Sequence, residues 1–186
     1  IMTTKLLIAR HGNTFGPQDT PTRVGARTDL PLVESGQAQA RALGKYLKDK
    51  NLIPDLILTS QLKRTVEMAE LAKEEMGLPV ETHPLAMFNE IDYGPDENKT
   101  EDEVIARIGK DAIRNWDENA VPPQGWLVDP AQIETNWKNF ANGLEEGGTT
   151  LVITSNGIAR FAPAIANGLP EGQSLKISTG ALCILE

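Results

Sequence analysis

Four short apolar runs, separated by segments of helical periodicity, constrain the fold of this chain more than any other feature. The runs occupy residues 5–9, 55–59, 150–154 and 181–185. Each run is nearly continuous, which is typical of strands that are covered on both faces, as in a parallel sheet. Strands that alternate with helices in this way predict an α/β domain of three layers, with a mostly parallel central sheet and helices on both faces.

The segments between the first three runs carry helix signals at their ends and on one face. Ser35 is placed as the N-cap of the first helix, the second helix is expected to follow Ser60, and Gly77 is placed to end it. The spacing predicts a buried stripe of Ala38, Ala42, Leu43, Tyr46 and Leu47 in the first helix, and of Leu62, Val66, Ala69, Ala72 and Met76 in the second.

Two more helices are predicted in the second half of the chain. Thr100 and Glu103 form a capping box, and the helix that follows is expected to continue as far as Trp116. Asp129 and Pro130 supply the start of another helix, which is expected to end at Gly147.

Residues 94–128 interrupt the alternation of strands and helices. The segment begins with acidic residues and carries Pro122, Pro123 and Gly125 near its end. A chain of 186 residues is well sized for one domain. We therefore predict a single domain over residues 1–186, in which residues 94–128 form an insertion or lid over a binding site.

The composition argues against several classes of function. The net charge of −8 disfavours a general nucleic-acid-binding protein, although it leaves room for a small basic pocket. The single cysteine, Cys183, excludes an intramolecular disulfide, and with only two histidines a metal centre is not expected. The apolar runs are too short for a signal sequence or a membrane span, so we expect a cytoplasmic protein without a membrane partner.

Polar, anion-binding residues follow three of the four predicted strands. They are Arg-His-Gly-Asn-Thr at 10–14, Ser-Gln-Leu-Lys-Arg at 60–64 and Ser-Asn-Gly-Ile-Ala-Arg at 155–160. Ligands of open parallel sheets bind outside the carboxyl ends of the strands. Arginines can hold phosphate oxygens bidentately, glycines let backbone N–H groups approach closely, and a neutral histidine can act as a nucleophile.

Each of these residues also has a simpler structural interpretation. His11 can be a packed residue at a strand end, Arg64 a solvated helix residue, and Asn156 with Gly157 a turn. Their joint occurrence after three strands favours a phosphate site, but the residues alone leave the function open.

The same segments resemble the sequence signatures of the histidine phosphatase superfamily, the phosphoglycerate mutase-like proteins. Residues 10–14 resemble its RHG(E/Q/N)T signature, and residues 28–38 resemble its D-x-P-L-T-x-x-G-x-x-Q-A stretch. Residues 60–64 match S-x-L-x-R, residues 89–94 match L-x-E-x-x-x-G, and residues 151–157 lie where the family has a strand ending in Ser-His-Gly. The match covers most of the chain in the family's order and implies a phosphoglycerate mutase-like fold.

The resemblance implies catalytic roles for two residues. His11 would be the nucleophile that accepts the phosphoryl group as phosphohistidine, and Glu90 would protonate the leaving oxygen and then activate water. A loop carboxylate without a catalytic role is the alternative for Glu90. The mechanism that the resemblance implies needs no cofactor and no metal.

The resemblance also implies a set of phosphate-binding residues. Arg10 and Arg64 would neutralise the phosphoryl group, and Asn13 and Thr14 would shape the phosphate loop. Asn156 and Gly157 would complete the site at the end of the third strand.

Two positions depart from the family's pattern. Asn156 stands where the family has its second histidine, and an asparagine amide can donate a hydrogen bond but cannot carry a positive charge. A natural variant, an engineered substitution and an inactive relative all fit this replacement. Residues 15–18 lack an asparagine that many members use for phosphate, and Arg23 and Arg27 are either substitutes for it or surface arginines.

We therefore expect a phosphatase that hydrolyses a small phosphorylated metabolite through a phosphohistidine on His11. Phosphoglycerate mutase-type transfer is an alternative within the enzyme class. A catalytically weak pseudophosphatase that binds a phosphorylated ligand or inorganic phosphate is an alternative outside it, motivated by Asn156. The sequence leaves the oligomeric state open.

Overall fold

Five strands form one central sheet in the computed structural model, which describes residues 4–166 and 182–185. They are β1 (Lys5–Arg10), β2 (Leu56–Thr59), β3 (Glu81–Pro84), β4 (Thr149–Thr154) and β5 (Leu182–Leu185). Their order across the sheet is β3-β2-β4-β1-β5, and only β5 runs antiparallel to its neighbour. The mostly parallel α/β sheet is confirmed, and β3, which has no apolar run, is a strand that the sequence did not predict.

The strand register brings the predicted phosphate-binding segments together. Arg10 pairs with Thr154 at the ends of β1 and β4, and the next residue, His11, donates its backbone N–H to the Thr154 carbonyl at 3.0 Å. Thr59 of β2 pairs with Ile153 of β4. The carboxyl ends of three neighbouring strands therefore lie side by side.

Alternate residues of each strand face opposite sides of the sheet, and both sides are buried. In β1, Leu7 and Ala9 join one apolar core, whereas Leu6 and Ile8 join the other. This arrangement explains the continuous apolar runs, because a strand between two layers has no solvent-facing side. It gives the three-layer architecture that we predicted.

One face of the sheet is covered by α1 (Glu34–Asp49) and α2 (Lys63–Met76). Gly77 ends α2 in the left-handed conformation, as predicted, and four of the five residues of its predicted stripe are buried, with Val66 half-buried. The prediction for α1 is partly wrong. Its buried residues are Gly36, Ala40, Leu43, Gly44 and Leu47, and Val33 rather than Ser35 occupies its N-cap.

The opposite face carries α5 (Pro130–Asn142) and the single turn α6 (Asn156–Ala159). Asp129 caps α5 as predicted, because its side chain accepts the Gln132 N–H. The predicted end of α5 at Gly147 is wrong, since the helix stops at Asn142 and Gly143 is its C-cap.

The predicted capping box of Thr100 and Glu103 is present and begins α3 (Glu101–Ile108). The single helix that we expected there is instead two, because Gly109, at φ +85°, ends α3 and precedes α4 (Lys110–Asn119). A left-handed φ is readily adopted by glycine but interrupts an α-helix.

The segment 94–128 is fastened at its base by a buried carboxylate. Asp96 is 1% exposed and receives two hydrogen bonds from Arg107, at 2.6 and 2.5 Å, and one from the Trp126 indole at 2.7 Å. Burial alone would raise the pKa of Asp96, but the Arg107 and Trp126 hydrogen bonds outweigh it and lower that pKa. A backbone bridge between Asp92 and Leu127 closes the segment.

None of the helices in the described part of the chain combines the length and the apolar character that a bilayer span requires.

Candidate active site

A pocket of about 620 Å³ opens at the carboxyl ends of β1 and β4. Its lining includes six of the residues that the sequence singled out, namely Arg10, His11, Asn13, Thr14, Glu90 and Asn156. The other two predicted site residues, Arg64 and Gly157, do not line it. The pocket therefore lies where the rule for ligands at strand ends predicts it. Arg64 and Gly157 lie behind the pocket lining, and each has its own partners there.

His11 is the first residue after β1 and is 6% exposed. Its Nδ1 lies 2.7 Å from the carbonyl oxygen of Gly12, and a carbonyl can only accept, so Nδ1 carries the proton. Burial, with the charges of Arg64 and Arg10 added, lowers the pKa of His11 to about 3, despite the opposing hydrogen bond to Gly12. The imidazole is therefore neutral at physiological pH, with its unshared electron pair on Nε2.

Arg64, near the start of α2, is completely buried beneath the pocket. Its two terminal nitrogens donate to the carbonyls of Thr28 at 2.8 Å, Val24 at 3.2 Å and Gly25 at 3.3 Å. Burial lowers the pKa of Arg64 from a very high value, so the guanidinium remains positively charged. It contributes positive potential at His11 without lining the pocket.

Ser60 precedes α2, whose N-cap is Leu62, and it does not line the pocket. Its buried hydroxyl accepts the Leu62 N–H at 3.2 Å and lies 2.6 Å from the Thr65 hydroxyl. These bonds fix the turn that directs Arg64 inward.

Glu90 follows β3 in the chain and is 6% exposed. The backbone N–H of Ile91 donates to Oε1 at 2.9 Å, and the Gly157 N–H and the Tyr93 hydroxyl approach Oε2 at 3.3 and 3.5 Å. Burial raises the pKa of Glu90, although the Ile91 N–H and the charges of Arg64 and Arg10 oppose this shift. A raised pKa favours the protonated form, which can donate a proton to an oxygen in the pocket.

Gly157 supports Glu90 rather than the pocket surface. A Cβ built on Gly157 would lie 2.3 Å from Glu90 Oε1, so only glycine leaves room for this carboxyl group. The segment after β4 thus presents Asn156 to the pocket, and its Gly157 N–H holds the carboxyl group of Glu90, which also lines the pocket.

The loop that carries Asn13 rests against the start of α1. The Asn13 backbone N–H donates to Gln39 at 2.7 Å, and its carbonyl accepts the Val33 N–H at 3.1 Å. Asn13 Nδ2 donates to the Ser35 hydroxyl at 3.3 Å, which gives Ser35 a role in the loop instead of the cap that the sequence predicted.

Arg23 and Arg27, the candidate replacements for the asparagine that residues 15–18 lack, lie in different places. Arg23 lines the pocket, with its guanidinium carbon 5.5 Å from the Tyr93 ring centre and 5.2 Å from that of Trp126. Arg27 does not line it and is bound to Asp92 at 3.0 Å.

Sequence reasoning gave no site role to several pocket residues. Tyr93 lies within residues 89–94, the segment that matches a family element, so its position three residues after Glu90 could have indicated a place in the site. Glu101, Ile113, Trp116 and Asp117 come from segment 94–128, and their convergence on the pocket depends on tertiary structure.

Arg160 connects the segment after β4 to α4. Its terminal nitrogen donates to the carbonyls of Trp116 at 2.8 Å and Asp117 at 2.9 Å, and its guanidinium lies 4.5 Å from the Trp116 ring centre. The pocket wall made by α4 is therefore attached to the strand end that presents Asn156.

Within the residues that the structure describes, no group of three or more His, Cys, Asp or Glu side chains is arranged to hold a metal ion. Arg10, Asn13 and Asn156 instead give the pocket hydrogen-bond donors that can bind an anion.

Comparison with known proteins shows the family of this chain. The family model described as histidine phosphatase superfamily (branch 1) matches residues 6–186. A 2,3-bisphosphoglycerate-dependent phosphoglycerate mutase of Bifidobacterium longum is 32% identical over 133 residues, which are 69% of this chain and 52% of that protein. The chain thus spans about half the length of this curated relative.

Two phosphatases resemble the chain over nearly its full length. An uncharacterized phosphatase, PhoE, of Bacillus subtilis is 28% identical over 185 residues, covering 98% of this chain and 88% of that protein. The solved structure of a mycobacterial glucosyl-3-phosphoglycerate phosphatase superposes with a TM-score of 0.78 at 21% identity, covering 98% of this chain and 89% of that one. The chain belongs to the histidine phosphatase superfamily, which contains both phosphatases and mutases.

Proposed function

We propose that the protein is a phosphatase that hydrolyses small phosphomonoesters through a phosphohistidine on His11. The observation that carries the proposal is the geometry of His11, a buried imidazole whose Nδ1 lies 2.7 Å from the Gly12 carbonyl oxygen. This leaves Nε2 as the nucleophilic nitrogen in a pocket that also holds Arg10, with Arg64 beneath it.

In the first step, Nε2 of His11 attacks phosphorus and the bond between phosphorus and the ester oxygen breaks. Glu90 gives its proton to the departing alcohol, which leaves the carboxylate ionised. The positive charges of Arg10 and Arg64 stabilise the phosphoryl oxygens, where negative charge is concentrated during transfer.

In the second step, water attacks the phosphohistidine. Glu90 takes one proton from that water, the bond between Nε2 and phosphorus breaks, and inorganic phosphate leaves. Both side chains return to their starting protonation states, so the cycle needs no further reactant.

The test is turnover of p-nitrophenyl phosphate combined with trapping of the phosphoenzyme. Phosphohistidine survives alkaline quenching, so peptide mass spectrometry of the wild type should locate the phosphoryl group on the peptide that contains His11. His11→Ala should reduce turnover by at least about a thousandfold, since it removes the nucleophile.

His83→Ala is the matched control, because His83 is the other histidine of the chain and is exposed, 2.7 Å from Glu81. It should behave as the wild type. Turnover that survives His11→Ala, or a phosphoryl group on another residue, would contradict the proposal.

The same assay separates the alternatives. Incorporation of ¹⁸O from labelled water into phosphate identifies hydrolysis, whereas movement of the phosphoryl group to a second hydroxyl of the substrate identifies mutase chemistry. Stabilisation by phosphate with no turnover of any ester would identify a binding protein, since a ligand of the folded state raises the melting temperature without chemistry.

A further inference from the structure

The loop at residues 24–28, here called the Arg64 loop, holds Arg64 beneath the pocket through backbone carbonyls. Thr28, Val24 and Gly25 accept its hydrogen bonds, so the position of the guanidinium group depends on the shape of this loop. Loops are the more mobile parts of a fold, so a loop that sets the position of a charged group needs support from another segment.

Glu97 binds the Arg64 loop with one carboxylate oxygen. Its Oε1 accepts the backbone N–H of Arg27 at 3.0 Å and the hydroxyl of Thr28 at 2.8 Å. Thr28 therefore joins Glu97 to Arg64, because its hydroxyl donates to the first and its carbonyl accepts from the second. Hydrogen bonds to a carboxylate are charge-assisted and stronger than those between neutral groups.

The other oxygen of Glu97 binds the segment that carries Glu90. Oε2 accepts the backbone N–H of Tyr93 at 2.9 Å, and the Tyr93 hydroxyl approaches Glu90 at 3.5 Å. A backbone hydrogen bond of 3.0 Å, from Ala26 of the Arg64 loop to the Ile91 carbonyl, lies between the same two segments. The side chain of Glu97 thus connects the loop that holds one charged group of the site to the segment that carries another.

The fit between Glu97 and the Arg64 loop depends on a glycine. A Cβ built on Gly25 would overlap Glu97 Oε2 and would lie 2.6 Å from the Ile91 carbonyl oxygen. The absence of a side chain at Gly25 therefore lets the carboxylate lie directly against the loop.

The charge of Glu97 and its hydrogen bonds have opposite expected effects on an anion in the pocket. Burial lowers the pKa of Arg64, and Glu97 is among the groups, after Glu90 and Asp29, whose charges oppose this shift. A carboxylate near Arg64 reduces the positive potential that Arg64 offers to a phosphate group. Loss of the charge alone would therefore strengthen phosphate binding, whereas loss of the hydrogen bonds that fix Arg64 would weaken it.

We propose that Glu97 is a positioning residue of the phosphate site, which fixes the Arg64 loop against the segment that carries Glu90. Glu97 does not line the pocket, so it acts through these two segments and not on the substrate. The proposal rests on the phosphate-binding role of Arg64 in the function proposed above, and it names the group that keeps Arg64 in place.

The test compares the wild type with Glu97→Ala in two measurements, each expressed per folded molecule. They are the Kd of inorganic phosphate, from titration calorimetry, and kcat with KM for p-nitrophenyl phosphate. Glu97→Ala should raise the Kd by about tenfold and lower kcat by about tenfold, because a small displacement of a charged group is costly at a transferring phosphoryl group. Unchanged or tighter phosphate binding by folded Glu97→Ala would overturn the proposal.

Glu97→Gln should have an intermediate Kd. Its amide keeps one carbonyl oxygen, which can accept from Arg27 and Thr28, but it presents an NH₂ group to the Tyr93 N–H. A Kd as high as that of Glu97→Ala would contradict the role assigned to the bonds with the Arg64 loop.

A double-mutant cycle tests whether Glu97 acts through Arg64. Arg64→Lys keeps the positive charge but lacks the planar fork that binds the three carbonyls. In the Arg64→Lys background, Glu97→Ala should change the Kd by less than about twofold, since coupled residues are not additive. The same tenfold change in both backgrounds would show that Glu97 does not act through Arg64.

Thr28→Val decides the question if Glu97→Ala does not fold. It removes the hydroxyl that donates to Glu97 and retains the backbone carbonyl that accepts from Arg64. The Kd of phosphate should rise by about threefold, on the scale of one hydrogen bond. An unchanged Kd in this variant would overturn the proposal.

Glu103→Ala is the matched control. Glu103 is a carboxylate of the same segment that is hydrogen-bonded to Thr100 at the start of α3 and does not line the pocket. Its replacement should leave the Kd of phosphate and kcat unchanged per folded molecule. A tenfold rise in Kd for this variant as well would assign the effect to the whole segment and overturn the specific role of Glu97.

Failure of the proposed function gives a different result. A wild type that binds phosphate but does not cleave p-nitrophenyl phosphate would exclude hydrolysis, and the phosphate titrations would still decide the role of Glu97. A wild type that cleaves the ester, with unchanged phosphate binding in Glu97→Ala, would keep the reaction and overturn the positioning role. A wild type that neither binds phosphate nor cleaves the ester would overturn both.

Discussion

The two faces of the sheet are built from different side chains although they share the same strands. The helical face, covered by α1 and α2, is aliphatic and includes the small residues Gly44 and Ala72 where the two helices meet. The aromatic face is filled by large rings, among them Phe88, Trp116 and Trp137. Small residues let helix backbones approach closely, whereas large rings fill the wider space beneath irregular segments.

Two tryptophans of the aromatic face also fix segments next to the pocket, because their indole N–H groups donate hydrogen bonds. The Trp137 indole donates to the Ile158 carbonyl at 2.8 Å, next to the turn that carries Asn156, and the Trp126 indole donates to Asp96. Arg160 adds a bond between that turn and α4. We infer that the helical face supplies stability and that the aromatic face shapes the site, so substitutions on the two faces should change different measured quantities.

The largest effect is expected for Glu90→Gln on the aromatic side. The amide keeps the shape of the side chain but cannot donate an acidic proton, so kcat should fall by at least about a hundredfold. In the wild type, kcat/KM should decline as pH rises through the raised pKa of Glu90, because the proton donor is lost. Measurement of kcat/KM against pH should show that the variant lacks this alkaline decline.

The same substitution should increase stability at alkaline pH. The folded pKa of Glu90 is raised above the unfolded value of about 4.3, so the stability that this group contributes is complete below pH ~4.3 and is lost as pH rises through the folded pKa. Urea unfolding at pH 8 should therefore find Glu90→Gln more stable than the wild type, with a smaller difference at pH 4. A variant that loses both activity and stability at pH 8 would indicate a purely structural role.

The second prediction concerns the helical face. A Cβ on Gly44 would lie 2.4 Å from the Ala72 carbonyl oxygen, so Gly44→Val must push α1 away from α2. We expect the free energy of unfolding to fall by about 2–3 kcal/mol, while kcat per folded molecule stays within about twofold. Urea unfolding and turnover corrected for the folded fraction measure the two quantities.

Ala42→Val is the control for that experiment, because Ala42 is exposed on the same helix. Its cost should stay below about 1 kcal/mol, which is the scale of helix propensity. A large loss of kcat in folded Gly44→Val would show that the two faces are coupled and that the helical face also affects the site.

The buried side of α1, on the helical face, could not be predicted from the sequence. Hydropathy predicted α1 to bury Ala38, Ala42 and Tyr46, all of which are exposed. The buried side of α1 instead carries Gly36 and Gly44, which a search for large apolar residues does not select. Close helix packing rewards small residues, and this preference is visible only when the partner helix is known.

The part of the pocket formed by the strand ends was predictable from the sequence, whereas the part formed by segment 94–128 was not. The strand ends that carry His11 and Asn156 were located because a parallel sheet brings its carboxyl ends to one edge, a rule that needs only strands running in the same direction. Trp116 and Asp117 could not be placed, because the turn at Gly109 splits the predicted helix and sets the direction of α4. The inward orientation of Glu90 likewise depends on the absence of a side chain at Gly157.

The smallest effect is expected for Asn156→His, on the pocket floor of the aromatic side. A protonated histidine there could form a charge-assisted hydrogen bond to the transferring phosphoryl group, worth about 1.5 kcal/mol, so kcat should rise by about tenfold. Asn142→His, at an exposed position on α5, is the control and should leave kcat unchanged. The measurement is kcat for p-nitrophenyl phosphate. An unchanged or lower kcat in Asn156→His would mean that the pocket is adapted to asparagine, because its neighbours, with Arg10 among them, would then disfavour a second positive charge at this edge of the sheet.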